Sequence, residues 1–299
     1  PAVRARALLA AGNLTVARAD YARAEAVLAE ALGLQRALGD VPAVTRTLLG
    51  LGNVAVQRGE FGRARALYEE GLTLSRAQGD PWMTANLLTN LGTLTLRQGD
   101  YARADALYGE SLALFQARGD QAAIAALSHS LGVAAYQQGE RQRARRLFEE
   151  GLSGYRALQN KRGMAEVLAS LALAAYREGD AAQLGAWLAE SVALSRELGD
   201  RLGIATATRV SGMAAAAQDR AERAVRLLGA AEAQREAIGA PLPPMDQAEV
   251  ERVVALLRTR LTPVAFAAGW AHGRSRTPEQ AIALALERTP PEEPAAPAR

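Results

Sequence analysis

"RQGDYARADALYGESLALFQARGD" (residues 97–120) contains a Gly-Asp pair near its start and another at its end, with Gly99 and Gly119 twenty residues apart. Taken alone, Arg118-Gly119-Asp120 has the form of an adhesion tripeptide. Between the two pairs, Tyr101, Ala104, Leu107, Tyr108, Leu112 and Phe115 make one apolar stripe at helical spacing. Glycine accepts the left-handed backbone that closes a helix. An aspartate placed next can cap the following helix, its carboxylate accepting an orphan backbone N–H. Each pair therefore predicts the end of one helix and the start of another, and the tripeptide reads as a turn.

The same punctuation runs along the chain. Steps of 40 residues meet "LGD" at Asp40, "QGD" at Asp80, "RGD" at Asp120, "LQN" at Asn160, "LGD" at Asp200 and "IGA" at Ala240. A second turn falls in mid-unit, as in "RGEF" (58–61), "QGDY" (98–101), "QGER" (138–141) and "EGDA" (178–181). The spacing predicts six units without insertions, 1–40, 41–80, 81–120, 121–160, 161–200 and 201–240, each a pair of helices of about 17 residues. Pro81 after Asp80 suits a first helical position, where a missing N–H costs nothing.

Composition agrees with an all-α chain. Of 299 residues, 49% are hydrophobic but only 5% aromatic, and Ala and Leu, strong helix formers, dominate the apolar set. There is no cysteine, which removes disulfides, thiol nucleophiles and thiolate metal ligands. The net charge of +3 is spread thinly, with no basic block, so neither a nucleic-acid nor a membrane surface is expected. No run of about 18 uncharged apolar residues predicts a membrane span. A cytoplasmic protein is expected. The start at Pro1, within a helical pattern, suggests a piece of a longer polypeptide.

These residues carry a family resemblance. "LLGLGNVAVQRGEFGRARALYEEGL" (48–72) resembles the tetratricopeptide repeat, with hallmarks at Leu51-Gly52, Gly59, Phe61, Ala64, Tyr68 and Leu72. The third unit repeats them at Leu91-Gly92, Gly99, Tyr101, Ala104, Tyr108 and Leu112. The fourth has Leu131-Gly132, Gly139, Ala144, Phe148 and Leu152. Small residues would let paired helices approach, and the large one would fill between units. The last two units depart from the pattern: Ala172 replaces the first glycine, Leu184 the alanine and Asp219 the mid-unit glycine. The resemblance implies a right-handed α-solenoid. Its units are longer than the usual repeat, as in the extended repeats of large bacterial regulators.

From Pro241 the period fails, and nine of the twelve prolines, Pro241 included, lie in this last part. Residues 241–263 read as a Pro-rich turn, an Asp246 cap and one helix. Residues 263–287 add two short helices, the second opened by Thr277, Pro278 and Gln280 in a capping-box pattern. Together 241–288 form an expected C-terminal helical cap over the open apolar end of the array. Residues 289–299 are too polar and Pro-rich to fold and read as a disordered linker. The run Phe266, Gly269-Trp270-Ala271, Gly273-Arg274, Pro278-Glu279 and Ala281 is similar to the end of sensor arrays in bacterial signal-transduction (STAND-type) ATPases. Those proteins often join a nucleotide-binding domain to LuxR-type or winged-helix DNA-binding domains. The likeness implies a sensor that binds an inducer or partner and releases an inhibited ATPase; neither the ATPase nor the DNA-binding part lies within this chain.

Catalytic material is sparse. No phosphate-binding loop or dinucleotide fingerprint is present. The two histidines, His129 and His272, have no companion carboxylate cluster, so no metal, cofactor or catalytic residue is assigned. Ser128-His129-Ser130 lacks the geometry of a nucleophile pair, because adjacent helix positions point apart. The Glu69-Glu70 and Glu149-Glu150 pairs read as solvated helix faces. In the resembled family the first helix of each unit lines a concave groove. Its groove positions fall here on Arg6, Asn13, Arg46, Asn53, Asn86, Thr89, Asn90, Thr93, His129 and Arg209. Asn offers donor and acceptor to an extended peptide backbone. Asn13 and Asn53 match the asparagine of the family's carboxylate clamp, but no lysine accompanies them. The same series would also serve simply to wet the inner face. Two readings follow: a partner- or inducer-sensing module acting on the ATPase and DNA-binding domains of its own parent chain, or a scaffold holding a partner peptide with no ATPase attached.

Overall fold

The computed structural model describes residues 1–242 and 244–286. The linker expected at 289–299 lies outside them, as do the last two residues of the expected cap. Among the described residues there are fifteen α-helices and no strand. No helix among them is long and apolar enough to cross a membrane. The chain divides into two units, Pro1–Gly154 and Tyr155–Arg299, with the boundary inside a helix.

The first unit is built of hairpins. These are α1 (Ala2–Ala17) with α2 (Tyr21–Leu38), α3 (Val41–Gln57) with α4 (Phe61–Ala77), and α5 (Pro81–Arg97) with α6 (Tyr101–Arg118). Next come α7 (Gln121–Gln137) and α8 (Arg141–Ala157), the helix that contains the boundary. The second unit continues with α9 (Lys161–Glu178), α10 (Ala181–Glu197), α11 (Arg201–Ala217) and α12 (Ala221–Ala237). It ends in α13 (Pro244–Arg260), α14 (Pro263–Arg274) and α15 (Pro278–Leu286).

The turns repeat in backbone angle as well as in sequence. Every twentieth residue from 19 to 239 has positive φ: nine are glycines, and the others are Ala19 (57°), Gln159 (52°) and Asp219 (60°). The aspartate after the turn then caps, Asp120 accepting from the Ala123 N–H at 3.1 Å and Asp80 from the Met83 N–H at 3.0 Å. Glu60 and Arg220 occupy this slot without a side-chain cap. Glu60 is held instead by Arg58 at 2.8 Å and Arg63 at 2.9 Å.

Within each hairpin, a small residue on the first helix faces a large one sixteen positions later. A Cβ on Gly92 would stand 2.7 Å from Cε1 of Tyr108, and one on Gly132 2.5 Å from Cδ1 of Phe148. Gly12 meets Leu28, Gly52 meets Tyr68 and Gly212 meets Leu228 in the same way. The fifth hairpin carries Ala172 with Leu188, both buried in one cluster. The large residue also reaches onward, since Tyr68 packs with Met83, Leu87, Leu91 and Leu94 of the following hairpin. Each such fully buried side chain stabilises the stack by roughly 1.5–3 kcal/mol.

The acidic pairs are exposed but partnered. Glu70 meets Arg36 at 2.5 Å, Glu69 meets Arg103 at 3.6 Å, and Glu149 and Glu150 meet Arg145 and Arg146 one turn earlier. Arg76–Glu110 (2.6 Å) and Arg156–Glu190 (2.8 Å) repeat the Arg36–Glu70 register. Exposed pairs of this kind contribute at most about 1 kcal/mol each.

At the C-terminal end the glycines of "GWAHGR" form a seam between α12 and α14. A Cβ on Gly229 would meet the Trp270 carbonyl at 2.6 Å, and Gly273 lies against the Arg226 carbonyl. Trp270 Nε1 donates to Glu232 at 3.1 Å, and Arg274 binds Glu232 and Glu236, each at 2.6 Å. The Thr277 N–H donates to Gln280 Oε1 at 3.0 Å and the Gln280 N–H to Thr277 Oγ1 at 3.3 Å, the reciprocal pair of a capping box. Asp246 departs from the sequence expectation. The helix starts at Pro244, so Asp246 sits in its first turn and pairs with Arg209 at 3.4 Å rather than capping.

Two stability outcomes follow from this geometry. A left-handed residue with a Cβ is strained by about 1–2 kcal/mol, so Gln159→Gly should raise the denaturation midpoint by the equivalent of about 1 kcal/mol; an unchanged midpoint in guanidinium would show the turn to be relaxed. Gly92→Ala should cost roughly 1–3 kcal/mol through overpacking. Adding Tyr108→Leu should recover part of that loss in a double-mutant cycle, because the fifth hairpin pairs Ala172 with a leucine.

Candidate binding site

The groove series separates once the helices are in place. Arg6, Asn13 and Arg46 are exposed along α1 and α3. Asn86 is half-buried and donates from Nδ2 to its own helix at the Trp82 carbonyl, 2.7 Å away. Thr89 is engaged inside its hairpin, bonding the Ala85 carbonyl at 2.9 Å and meeting Ser111 Oγ at 2.8 Å. Three members come together. Asn53, Asn90 and Thr93 line one recess of 460 Å³ in the first unit.

The recess is built from the first helices of three successive hairpins. Val16 comes from α1, Asn53 and Gln57 from α3, and Asn90, Thr93 and Arg97 from α5, with Tyr68 beneath. Positions 90, 93 and 97 share one face of α5, as 53 and 57 do on α3. Gln57 and Arg97 were not singled out by sequence. They stand one turn beyond Asn53 and Thr93 and forty residues apart, so repeat register combined with helical face would have found them.

Two of the groove residues also bond the core. The Tyr68 hydroxyl donates to Asn53 Oδ1 at 2.7 Å, and the Tyr108 hydroxyl donates to Thr93 Oγ1 at 3.1 Å. Asn53 is thereby fixed with its Nδ2 left to donate elsewhere. Burial pushes the Tyr68 phenol up, with Arg97 opposing. For Tyr108 burial again dominates, against its hydrogen bonds to Thr93 and Ser130. Both rings therefore stay neutral donors at physiological pH. The recess offers amide groups, a threonine and one guanidinium, a set suited to hydrogen-bonding a peptide backbone and an anionic group.

The remaining two members lie elsewhere. His129 is half-buried, its ring tilted against Phe148 with centroids 5.8 Å apart. Burial lowers its pKa to about 4. Arg209 belongs to the second unit and is only 4% exposed, placed against Met213 and Asp246. That burial corrects its reading as a groove position: Asp246 of α13 holds the guanidinium that repeat register placed on a groove-lining helix.

The histidine gives a pH signature. Above pH 6.5 the ring is neutral in both folded and unfolded chains. As pH falls from 6.5 towards 4 the unfolded state takes up a proton that the folded state refuses. Stability should drop across that window by up to about 3 kcal/mol and then level off. His129→Gln should flatten this segment of the stability–pH curve, and an unaltered curve would exclude the ring as its source.

A search of curated protein sequences finds no match to this chain. Residues 83–157 match the tetratricopeptide repeat family model. Among solved structures, the apo form of RapI aligns with a TM-score of 0.73 at 12% identity, covering 93% of this chain and 98% of that one. The Rap conjugation gene regulator of the plasmid pLS20, in complex with the Phr* peptide, gives 0.62 at 15% identity over 94% of this chain and 76% of that one. A signal-transduction ATPase with numerous domains from Pyrococcus horikoshii, which has a tetratricopeptide repeat sensor, gives 0.63 at 15% identity over 85% of this chain. This chain spans only 39% of that protein. At such identities the likeness is one of fold. The chain carries tetratricopeptide repeats, matched directly over residues 83–157 and flanked by helix hairpins of the same fold.

Proposed function

We propose that this chain is a non-catalytic sensing domain that takes a peptide or protein partner into the groove of its first unit and so controls a larger bacterial signal-transduction ATPase or transcriptional regulator. The observation that carries the reading is the recess shared by α1, α3 and α5. Three hairpins contribute to it, so an extended ligand lying there would bridge several repeats at once. Its donors, Asn53 Nδ2, Gln57, Asn90 and Arg97, favour a ligand rich in carbonyls and carrying a carboxylate. The tetratricopeptide sensor of the Pyrococcus horikoshii protein and the "GWAHGR" end support the sensor role. A sensor acts only if its ligand prefers one state of the parent chain.

The second reading is a peptide-binding scaffold without an ATPase, which the likeness to Rap proteins supports. RapI corresponds to this chain over 98% of its own length, and a Rap relative is solved with a bound peptide. One experiment tests the groove for both readings. Peptides selected from a random library on the wild-type chain should lose at least about tenfold in affinity for an Asn90→Ala/Arg97→Ala variant, equivalent to about 1.4 kcal/mol. Undiminished binding would remove the recess as the site. Measuring ATP hydrolysis by the parent polypeptide with and without the selected peptide separates the readings, since a scaffold leaves no rate to change.

A further inference from the structure

The second unit contains another recess, of 210 Å³, where the first turn of α11, the C-terminal half of α12 and the turn between α14 and α15 meet. Arg201, Ile204, Gln234, Arg274, Arg276 and Pro278 line it, and no carboxylate does. Gln234 is 9% exposed, yet neither its Nε2 nor its Oε1 has a partner in the protein. Nε of Arg276 is likewise buried without one, while its Nη2 faces His272 Nε2 at 3.0 Å. Arg274 is already committed to Glu232 and Glu236. Arg201 brings an exposed guanidinium to the rim.

We infer that this recess is a binding site for a small organic carboxylate that also carries an N–H, of amino-acid size. The volume equals that of about seven waters, which limits the ligand to a few heavy atoms. Guanidinium groups from two elements, Arg201 and Arg276, favour a carboxylate held by charge-assisted hydrogen bonds. A buried amide unpaired at both ends requires an acceptor for its Nε2 and a donor for its Oε1. Inorganic phosphate can meet both ends of the amide through its oxygens and its P–OH but has nothing to pack on the apolar lining, whereas an amide-bearing carboxylate answers the amide and fills that wall. The apolar wall of Ile204 and Pro278 leaves room for a short aliphatic part. This site is separate from the groove of the first unit and does not depend on its reading.

The test is titration of the full chain with N-acetylglycine, and separately with inorganic phosphate, following the Gln234 side-chain NH₂ resonances and the binding heat. The expected result is saturation below roughly 10 mM N-acetylglycine, with phosphate at least about tenfold weaker. Gln234→Leu and Arg201→Gln should each weaken N-acetylglycine by about tenfold or more. Arg201 is exposed, so its variant keeps the test valid if Gln234→Leu unfolds α12. No saturation by N-acetylglycine, equal or tighter binding of phosphate, or affinity unchanged in Arg201→Gln would each overturn the assignment.

Discussion

A small residue at one position of each first helix, glycine in five of the six hairpins and Ala172 in the other, sets the packing of this protein. Gly92 leaves a gap that the Tyr108 ring occupies, and Gly52 and Gly132 do the same for Tyr68 and Phe148. The two helices of a hairpin can then approach closely without straining a rotamer. The ring that fills the gap is long enough to cross it and meet the next hairpin, so one contact sets both the spacing within a pair and the packing between pairs. At Ala172, where the small residue grows by a methyl, the partner is Leu188, the residue type that also faces Gly12 and Gly212.

That contact also couples the core to the groove. A tyrosine over the glycine brings a hydroxyl to the residue one position further along the first helix. Asn53 accepts from Tyr68, and Thr93 accepts from Tyr108. Where the ring is Phe148, which has no hydroxyl, the corresponding position is Val133. The groove side chains next to these glycines therefore have two duties. One atom satisfies a buried phenol, and what remains faces the recess in a fixed orientation. Pre-orientation of this kind lowers the entropy lost on binding.

The C-terminal helices pack onto α12 by a different device. Instead of a glycine under a ring, Gly229, Gly269 and Gly273 bring the backbones of α12 and α14 together. Glu232 and Glu236 on α12 then hold Trp270 and Arg274. The motif that resembles the end of bacterial sensor arrays is thus a packing seam, and the turn that follows it brings Arg276 beside Gln234.

The amino-acid sequence by itself determined the helix pairs and their turns, because a twenty-residue period of Gly-Asp punctuation is a local property of the backbone. A left-handed turn and a side-chain cap need only neighbours within a few residues. The backbone enforces that period even at Ala19, Gln159 and Asp219, where the glycine is missing. Repeat register also put Asn53, Asn90 and Thr93 at corresponding helix faces, and these three line one recess. Tertiary structure alone decided which polar residues remain available. Thr89 turns to Ser111 within its hairpin, and Arg209 is buried beside Asp246, a partner thirty-seven residues away on another helix. Asp246 itself was read as a cap because its sequence neighbours resemble one, yet its charge is used across space. Gln57, Arg97 and the unpaired amide of Gln234 reach their recesses the same way. Whether a polar group faces solvent, a ligand or a buried partner depends on helices that are distant in sequence, and no periodicity along one helix encodes that.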